Sequence, residues 1–176
     1  MEFAAILISI LALLFTVGSF WYMNWRPGVL RIGNIRSYAA IAAEPHLVIA
    51  IPVAFSNRGA LPVLVDNLRL RLPDHGDALT ALWFDAIVEK LGNQSEGRQP
   101  AIPFAVRGGE VVVKVCEFRR QRSGFVFGEG KYKVAIDART DCDETWVEKK
   151  SFELMVQASK VKVLNSEFRR HDNVLP

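Results

Sequence analysis

The stretch HLVIAIPVAF, residues 46–55, decides the fold class of this chain. Every second residue in it is large and apolar: Leu47, Ile49, Ile51, Val53 and Phe55. A repeat of two is typical of a β-strand with one buried face. The following residues 56–59, SNRG, have the composition of a turn. Pro52 has no N–H to donate, so we expect it at a sheet edge or a bulge.

A second run, LPVLVDNLRLRLPD at residues 61–74, repeats the alternation. Leu68, Leu70 and Leu72 share one face, while Arg69 and Arg71 occupy the other. Such a strand lies between a core and water, as in antiparallel sheets. Three more runs have strand composition: EVVVKVCEF (110–118), FVFGEGKYKVAIDA (125–138) and SFELMVQA (151–158). Short strands separated by turn signals predict an antiparallel β-sandwich.

The run DALTALWFDAIVEKLGN, residues 77–93, fits two structures. Apolar residues such as Leu79, Leu82 and Trp83 have helical spacing, and the Gly-Asn pair that ends the run could stop a helix. However, Phe84 and Val88 interrupt the polar face of that helix. The surrounding β pattern favours a strand.

Two groups of residues resemble a known class of domain. They are the segment Phe55-Ser56-Asn57-Arg58-Gly59 with Pro62-Val63 and the Leu68-x-Leu70-x-Leu72 strand, and the segment Gly130-Lys131-Tyr132-Lys133-Val134-Ala135-Ile136. Over residues 45–157 they resemble immunoglobulin-like domains of membrane-anchored bacterial proteins. The resemblance implies a mainly β fold, an immunoglobulin-like antiparallel β-sandwich on a membrane tether, and transfers no functional residue.

These motifs have direct structural roles. An Asn-x-Gly sequence such as Asn57 to Gly59 permits positive φ and a tight chain reversal. A tyrosine at the start of a late strand, here Tyr132, can bury its ring and send its hydroxyl to a loop carbonyl.

Residues 3–25, FAAILISILALLFTVGSFWYMNW, contain no charged side chain. About 20 apolar residues in a helix cross a hydrocarbon core of roughly 30 Å. Apolar residues lie on every face of this helix, so we interpret residues 3–23 as an N-terminal transmembrane α-helix whose partner is the lipid bilayer. Four candidate membrane-interface residues follow at its end: Trp21, Tyr22, Trp25 and Arg26.

The alternative to an anchor is a cleaved signal peptide, because Val17 and Ser19 fit a peptidase site before Phe20. The two residues before the apolar run include no Lys or Arg, which argues against cleavage. Three arginines follow the helix: Arg26, Arg31 and Arg36. Under the positive-inside rule they predict a cytoplasmic domain, whereas an uncleaved signal anchor would have the opposite orientation.

The chain therefore divides into an anchor, a connector with a first strand, a β-sandwich and a tail, at residues 1–25, 26–44, 45–158 and 159–176. In the tail, the alternation Lys160-Val161-Lys162-Val163 predicts an extension of the last strand. Alternatively, apolar tail residues such as Leu164 and Phe168 dock on a partner.

The charge is nearly balanced, with 22 Lys and Arg, 19 Asp and Glu, and a formal net charge of +3. So small a bias is not a nucleic-acid signature, and we expect no nucleic-acid partner. The two cysteines do not require a disulfide. Cys116 lies in an apolar run and is expected to be buried, and Cys142 lies in an acidic turn and is expected to be exposed.

The sequence contains no HExxH, GxSxG, GxxxxGK[ST], GxGxxG or paired CxxC motif. We therefore expect no enzymatic activity, no cofactor and no metal site. Three arginines form a candidate contact with lipid or a protein partner: Arg119, Arg120 and Arg122. The alternative is a charged hairpin loop that keeps a sheet edge soluble.

The expected function is a single-pass, membrane-tethered β-sandwich that serves as a protein-interaction or structural module in a membrane complex. The alternative is a ligand-binding or enzymatic domain with a site built from loops. That alternative requires four residues to converge in one pocket: Asp74, His75, Asp141 and Asp143.

Overall fold

The computed structural model describes residues 2–43, 45–75, 81–92, 97–121 and 124–173. The elements in these ranges are α1 (Glu2–Asn24), β1 (Leu30–Ile32), β2 (Ser37–Ala43), β3 (His46–Asn57), β4 (Val63–Arg71), a 3₁₀ turn (Pro73–His75), β5 (Leu82–Val88), β6 (Gln99–Pro100), β7 (Phe104–Val106), β8 (Val111–Gln121), β9 (Gly130–Thr140), β10 (Asp143–Val156), α2 (Ala158–Leu164) and β11 (Arg169–Asp172).

These eleven strands form one antiparallel sheet with the order β10-β9-β4-β5-β8-β3-β2-β11. Three short strands branch from it, β1 on β3, β6 on β5 and β7 on β4. Strands make up 53% of the structure, and the sheet curls into a half-barrel. A mainly β fold with one N-terminal apolar helix is thus confirmed. The two separate sheets of an immunoglobulin-like sandwich are not confirmed, because hydrogen bonds connect all the described strands in one sheet.

The curl has an identifiable cause in the strand registers. The register shifts twice between β9 and β10, once between β4 and β9 at Val65/Asn67, and once between β5 and β8 at Phe84/Ala86. Each such bulge bends its strand and increases the local right-handed twist. Several bulges in neighbouring strands therefore turn an open sheet into a half-barrel.

The hydrophobic core lies within the curled sheet. The alternating leucines Leu68 and Leu70 of β4, and Leu72 directly after it, are all at most 1% exposed, as their spacing predicts. Arg69 and Arg71 lie on the opposite face of β4, also as predicted. Pro52 lies where β3 is paired with β8 alone, between its pairings with β2 and with β1. Its expected position at a local edge is confirmed.

Tyr132 has the structural role that its position predicts. Its ring is 6% exposed and packs edge-on against Phe127 at 5.7 Å. Its hydroxyl donates to the carbonyl of Gly128 at 3.0 Å and accepts from the Gly128 N–H at 2.7 Å. The ring thus fixes the loop that leads into β9.

The ambiguous run at residues 77–93 contains a strand. β5 pairs with β8 from Trp83 to Val88, so the strand interpretation is confirmed there. Residues 77–80 and 93 lie outside the described part of the chain. Pairing with β8 on one side and β4 on the other outweighs the helical spacing of the apolar residues.

The predicted extension of the last strand into the tail is wrong. β10 ends at Val156, and residues Ala158–Leu164 form α2, with Leu164 fully buried in the core. Val161 and Leu164, three positions apart, pack together on the core as helical neighbours do. The chain then returns as β11 beside β2. The segments 26–44 and 159–176 thus both contribute strands to the same sheet.

Asn173 joins the two ends of the half-barrel, β10 and the strand pair β2–β11. Its backbone N–H donates to the Arg36 carbonyl at 2.8 Å. Its side-chain amide accepts from the Met155 N–H at 3.1 Å and donates to the Glu153 carbonyl at 2.8 Å. The Tyr38 hydroxyl adds a bond to the Met155 carbonyl at 3.0 Å. Side chains, rather than a backbone ladder, therefore bridge this seam.

On the polar face of the sheet, a buried carboxylate lies between two arginines. Asp137 Oδ2 accepts from Arg69 Nε at 2.7 Å and from Arg71 Nε at 2.6 Å, and the Asp137 side chain is 1% exposed. Burial alone would raise the pKa of Asp137, but the hydrogen bonds and charges of Arg71 and Arg69 outweigh it. The pKa of Asp137 consequently lies below its ordinary value.

Asp137→Asn is expected to lower the free energy of unfolding by about 3 kcal/mol at pH 7, because it removes the counter-charge of Arg69 and leaves Arg71 with only Glu148 as an acidic partner among the described residues. Since the folded pKa is depressed, the carboxylate stabilises the fold fully above the unfolded pKa of about 3.9, and this contribution is lost as the pH falls through the folded pKa. The difference in the free energy of unfolding between the wild type and the Asp137→Asn variant should therefore shrink below about pH 4. Urea unfolding of the full chain in detergent, followed by tryptophan fluorescence from pH 7 to pH 3, measures it.

The matched control is Asp66→Asn, which removes a carboxylate bonded to Arg139 Nε at 2.7 Å. Its side chain is 39% exposed, so this pair is expected to contribute about 0–1 kcal/mol. Equal losses in the two variants, or a difference that does not change with pH, would contradict the role assigned to Asp137.

Candidate functional site at the junction of helix and sheet

Helix α1 is apolar and lies outside the core of the domain. Residues Phe3–Asn24 have a mean hydropathy of 2.4 over their most apolar window, of which none is buried against the sheet. At 1.5 Å per residue, 22 residues span roughly 33 Å, which is enough to cross a bilayer core. Signal sequences share this length, composition and N-terminal position.

Three polar side chains of α1, those of Ser9, Thr16 and Asn24, bond to carbonyls one turn earlier in the helix. Ser9 Oγ donates to the Ala5 carbonyl and Thr16 Oγ1 donates to the Ala12 carbonyl, both at 2.8 Å. These bonds leave no hydroxyl proton that needs water as an acceptor. The helix can therefore lie in an apolar environment without an unpaired side-chain donor at these positions.

The predicted interface residues lie together at the end of α1. Trp21, Tyr22 and Trp25 are 51%, 56% and 62% exposed. The Arg26 guanidinium lies 4.4 Å from the centroid of the Tyr22 ring, and its Nη1 donates to the Tyr22 hydroxyl at 2.6 Å. Their contact with a membrane interface stays a prediction, but the structure gives Arg26 a second role.

Arg26 binds the turn between β3 and β4. Its carbonyl accepts from the N–H groups of Ala60 at 2.9 Å and Leu61 at 3.1 Å, and its Nη2 donates to the Arg58 carbonyl. The Arg58 N–H in turn donates to the Val29 carbonyl at 3.0 Å. The residues that follow the helix are thus bonded directly to the sheet, so no free linker separates the two.

Asn57 is the centre of this junction. It is 2% exposed, and its Oδ1 accepts from the N–H groups of Val29 at 3.0 Å and Gly59 at 2.8 Å. Its Nδ2 donates to the carbonyls of Leu61 at 2.8 Å and Val106 at 3.0 Å. Both amide protons and the amide oxygen are used. One side chain therefore connects the residues after the helix, the β3–β4 turn and β7.

Glycines let the backbones at this junction touch. A Cβ on Gly59 would lie 2.0 Å from the Pro27 carbonyl oxygen and 2.4 Å from the Cα of Gly28. A Cβ on Gly108 would lie 2.1 Å from the carbonyl oxygen of Ala60. Any larger residue at Gly59 or Gly108 would push the two backbones apart.

A cleft of about 590 Å³ opens beside the junction. It is lined by Arg26, Ser56, Asn57, Arg58, Gly109, Glu110 and Val111. The Gly109 N–H donates to the Asn57 carbonyl at 3.0 Å, which holds the turn before β8 against the β3–β4 turn. Residues 26–29, 57–61 and 107–111 consequently form one end of the domain.

The predicted arginine cluster lies elsewhere. Arg119 pairs with Glu117 Oε1 at 3.3 Å and with Asp85 Oδ2 at 3.2 Å, and Arg120 Nη1 donates to the Ala81 carbonyl at 3.2 Å. Arg122 lies outside the described residues. Arg119 is eight residues along β8 from Val111, which is roughly 26 Å at 3.3 Å per residue. Two of the three arginines are thus engaged with the sheet, far from the helix.

The four residues of the alternative loop-built site do not converge. Asp141 accepts from the Leu64 N–H at 2.9 Å, at the start of β4. Asp74 and His75 lie in the 3₁₀ turn beyond the other end of β4, whose length is roughly 26 Å. Asp143 stays near Asp141 and pairs with Lys149 Nζ at 2.6 Å. Within the described ranges, no group of three or more His, Cys, Asp or Glu side chains could hold a metal ion.

Sequence reasoning identified the residues of the junction but not the junction itself. The Asn57-x-Gly59 motif predicts a tight turn, but not the contact of that turn with the residues that follow the helix. A signal for their contact does exist, because glycines 28, 59 and 108 all lie where a Cβ would clash. Nothing in the spacing of these glycines shows that they meet in space.

No protein-family profile and no curated protein matches the sequence. Among solved structures, the chain is similar to a protein from Archaeoglobus fulgidus, with 11% identity, a TM-score of 0.39, and coverage of 72% of this chain and 98% of that one. It is also similar to ycdA, a candidate lipoprotein from Bacillus subtilis, with 14% identity, a TM-score of 0.38, and coverage of 80% of this chain and 41% of that one. Neither likeness bears on what this chain binds or does.

Asn57→Ala is expected to lower the free energy of unfolding by about 3 kcal/mol, because it leaves several buried N–H and carbonyl groups without a partner. Ser56→Ala is the matched control. Ser56 Oγ makes one exposed bond of 3.4 Å to the Arg31 carbonyl, so its loss should change stability by no more than about 0.5 kcal/mol. Urea unfolding of the full chain in detergent measures both. If Asn57→Ala lowered the free energy of unfolding as little as Ser56→Ala does, the central position of Asn57 would be contradicted.

Proposed function

We propose that this chain is a single-pass membrane protein whose β domain serves as a protein-interaction or structural module at the membrane surface. The observation that carries the proposal is the junction at Arg26 and Asn57. It joins an exposed apolar helix to the folded domain through hydrogen bonds, without a free linker. A domain held in this way has a fixed position relative to a membrane anchor, as a structural or docking module requires.

An aromatic patch on the polar face supports the interaction role. The Trp83 and Trp146 rings meet edge-to-face at 5.9 Å, and Trp83 is 51% exposed. The guanidinium groups of Arg69 and Arg139 lie 4.6 Å and 5.8 Å from the centroid of the Trp146 ring. Tryptophan and arginine are the residues most enriched at the energetic centres of protein interfaces. Within this proposal the domain acts by binding a protein and not by catalysis, and nucleic acid is not its partner.

We also propose that the domain is related to immunoglobulin-like sandwiches. The buried Tyr132, with its hydroxyl bonded to Gly128, supports it because the resemblance implies such a tyrosine. The single continuous sheet weighs against it.

We further propose that the domain is cytoplasmic, on the strength of Arg26, Arg31 and Arg36 after the helix. A native cysteine can be labelled to determine this orientation. Cys142 is exposed and Cys116 is buried, and both are free thiols. Burial raises the pKa of Cys116 to about 12, so this thiol is poorly reactive. Partial burial and the charge of Asp141 also raise the pKa of Cys142, which calls for labelling at mildly alkaline pH.

In cells that express the full chain, the protein is expected to stay in the membrane pellet after alkaline carbonate extraction, with its N-terminal helix intact by mass. A membrane-impermeant maleimide at pH 8 should label Cys142 only after lysis. Cys142→Ser is the control and should remain unlabelled in lysates, because Cys116 is buried.

A soluble product that lacks the N-terminal helix would contradict the anchor and indicate a signal sequence. Labelling of Cys142 in intact cells would keep the anchor but reverse the orientation.

A further inference from the structure

The end of the domain that receives α1 carries a group of exposed apolar and basic side chains, which we call the collar: Val29, Arg58, Leu61, Arg107 and Val111. The three apolar residues are 47%, 45% and 62% exposed, in chain order. Exposed apolar residues gathered at one end of a domain can mark a site of contact with a membrane or a protein.

Hydrogen bonds of the junction hold the collar around the end of the helix. The Leu61 N–H and the Arg58 carbonyl both bond to Arg26, and Val111 lines the same cleft as Arg26. Val29 is only three residues after Arg26, a distance of at most about 10 Å along the chain. If α1 crosses a bilayer, the collar must therefore lie at the level of the lipid headgroups.

The two collar arginines are free to bind an anion. In the part of the chain that the structure describes, neither Arg58 nor Arg107 has a carboxylate partner, whereas Arg119 is paired with Asp85 and Glu117. The carboxylate of Glu110 is already bonded to the Arg107 N–H at 3.0 Å. Guanidinium groups bind phosphate oxygens in a two-pronged geometry, and every phospholipid headgroup carries a phosphate.

An acidic turn lies on one side of the same end. Asp141, Asp143 and Glu144 follow β9, and Asp141 is bonded to the N–H of Leu64, three residues beyond the collar residue Leu61. Carboxylates are poorly accommodated among lipid phosphates because the charges repel. The domain is thus expected to tilt so that the collar meets the membrane surface, while the acidic turn and Cys142 face water.

We propose that the collar is a phospholipid-binding surface, in which Arg58 and Arg107 bind headgroup phosphates and Leu61 and Val111 enter the interfacial layer. This inference rests on the proposed membrane anchor and adds to it a defined pose of the domain on the bilayer. It also replaces Arg119 and Arg120 as the candidate lipid contact, since those arginines are paired with the sheet and lie roughly 26 Å along β8 from Val111.

The test uses the full chain in phosphatidylcholine nanodiscs with a nitroxide label at one position. Val111→Cys and Val126→Cys, each combined with Cys142→Ser, form a matched pair, because the two valines are 62% and 67% exposed. Val126 lies near the start of β9, at the opposite end of β9 from the acidic turn. A third sample carries the label on the native Cys142.

The label at position 111 is expected to collide several-fold less often with a water-soluble nickel chelate than the labels at 126 and 142. It should also show raised accessibility to oxygen, which is concentrated in lipid. Adding Arg58→Gln and Arg107→Gln to the Val111→Cys variant should return the nickel accessibility toward that of position 126. The matched control, Arg169→Gln with Arg170→Gln, removes the same charge from exposed positions on β11 and should change nothing.

Equal nickel accessibility at 111 and 126 in nanodisc-bound protein would overturn the collar while leaving the anchor intact. If the substitutions at Arg169 and Arg170 changed the nickel accessibility of position 111 as much as those at Arg58 and Arg107, the specific role of Arg58 and Arg107 would be overturned. Protein that does not enter nanodiscs at all would instead contradict the proposed anchor.

Discussion

The structure depends on one buried amide. The side chain of Asn57 bonds simultaneously to Val29, Gly59, Leu61 and Val106, at distances between 2.8 and 3.0 Å. Because it is 2% exposed, water cannot replace these partners. The position of the helix, the β3–β4 turn and the cleft beside Arg26 all follow from this set of bonds. An apolar helix and a β domain that could have been connected by a flexible linker are instead parts of one unit.

Hydrogen bonds from polar side chains also connect the two ends of the half-barrel. Strands β3, β4, β8 and β9 have backbone partners on both sides over much of their length, but the two ends of the half-barrel meet through Asn173 and Tyr38. Polar side chains that satisfy both their donors and their acceptors can replace a ladder of backbone bonds at such a seam. Asparagine serves this purpose at both places because its amide offers donors and an acceptor in one plane.

Period-two patterns predicted most of the β structure, because burial of one face is encoded locally, as in Leu68, Leu70 and Leu72. The tail was misinterpreted because Lys160-Val161-Lys162-Val163 alternates like a strand, although Val161 and Leu164 also have helical spacing. The single curled sheet could not be predicted, since it depends on pairings between distant strands and on bulges. Arg119 looked like a free surface charge because one of its two partners, Asp85, reaches it only through the pairing of β5 and β8.

Hydrogen exchange at the amides of Ala60 and Leu61, in the full chain in detergent micelles, tests the central claim most directly. Both N–H groups donate to the Arg26 carbonyl, the bond that ties the end of the helix to the sheet. If helix and sheet form one unit, these amides exchange only when the domain unfolds, with protection similar to that of buried amides in β3. Exchange as fast as in an unstructured turn would show that the helix moves independently of the sheet and would contradict the account.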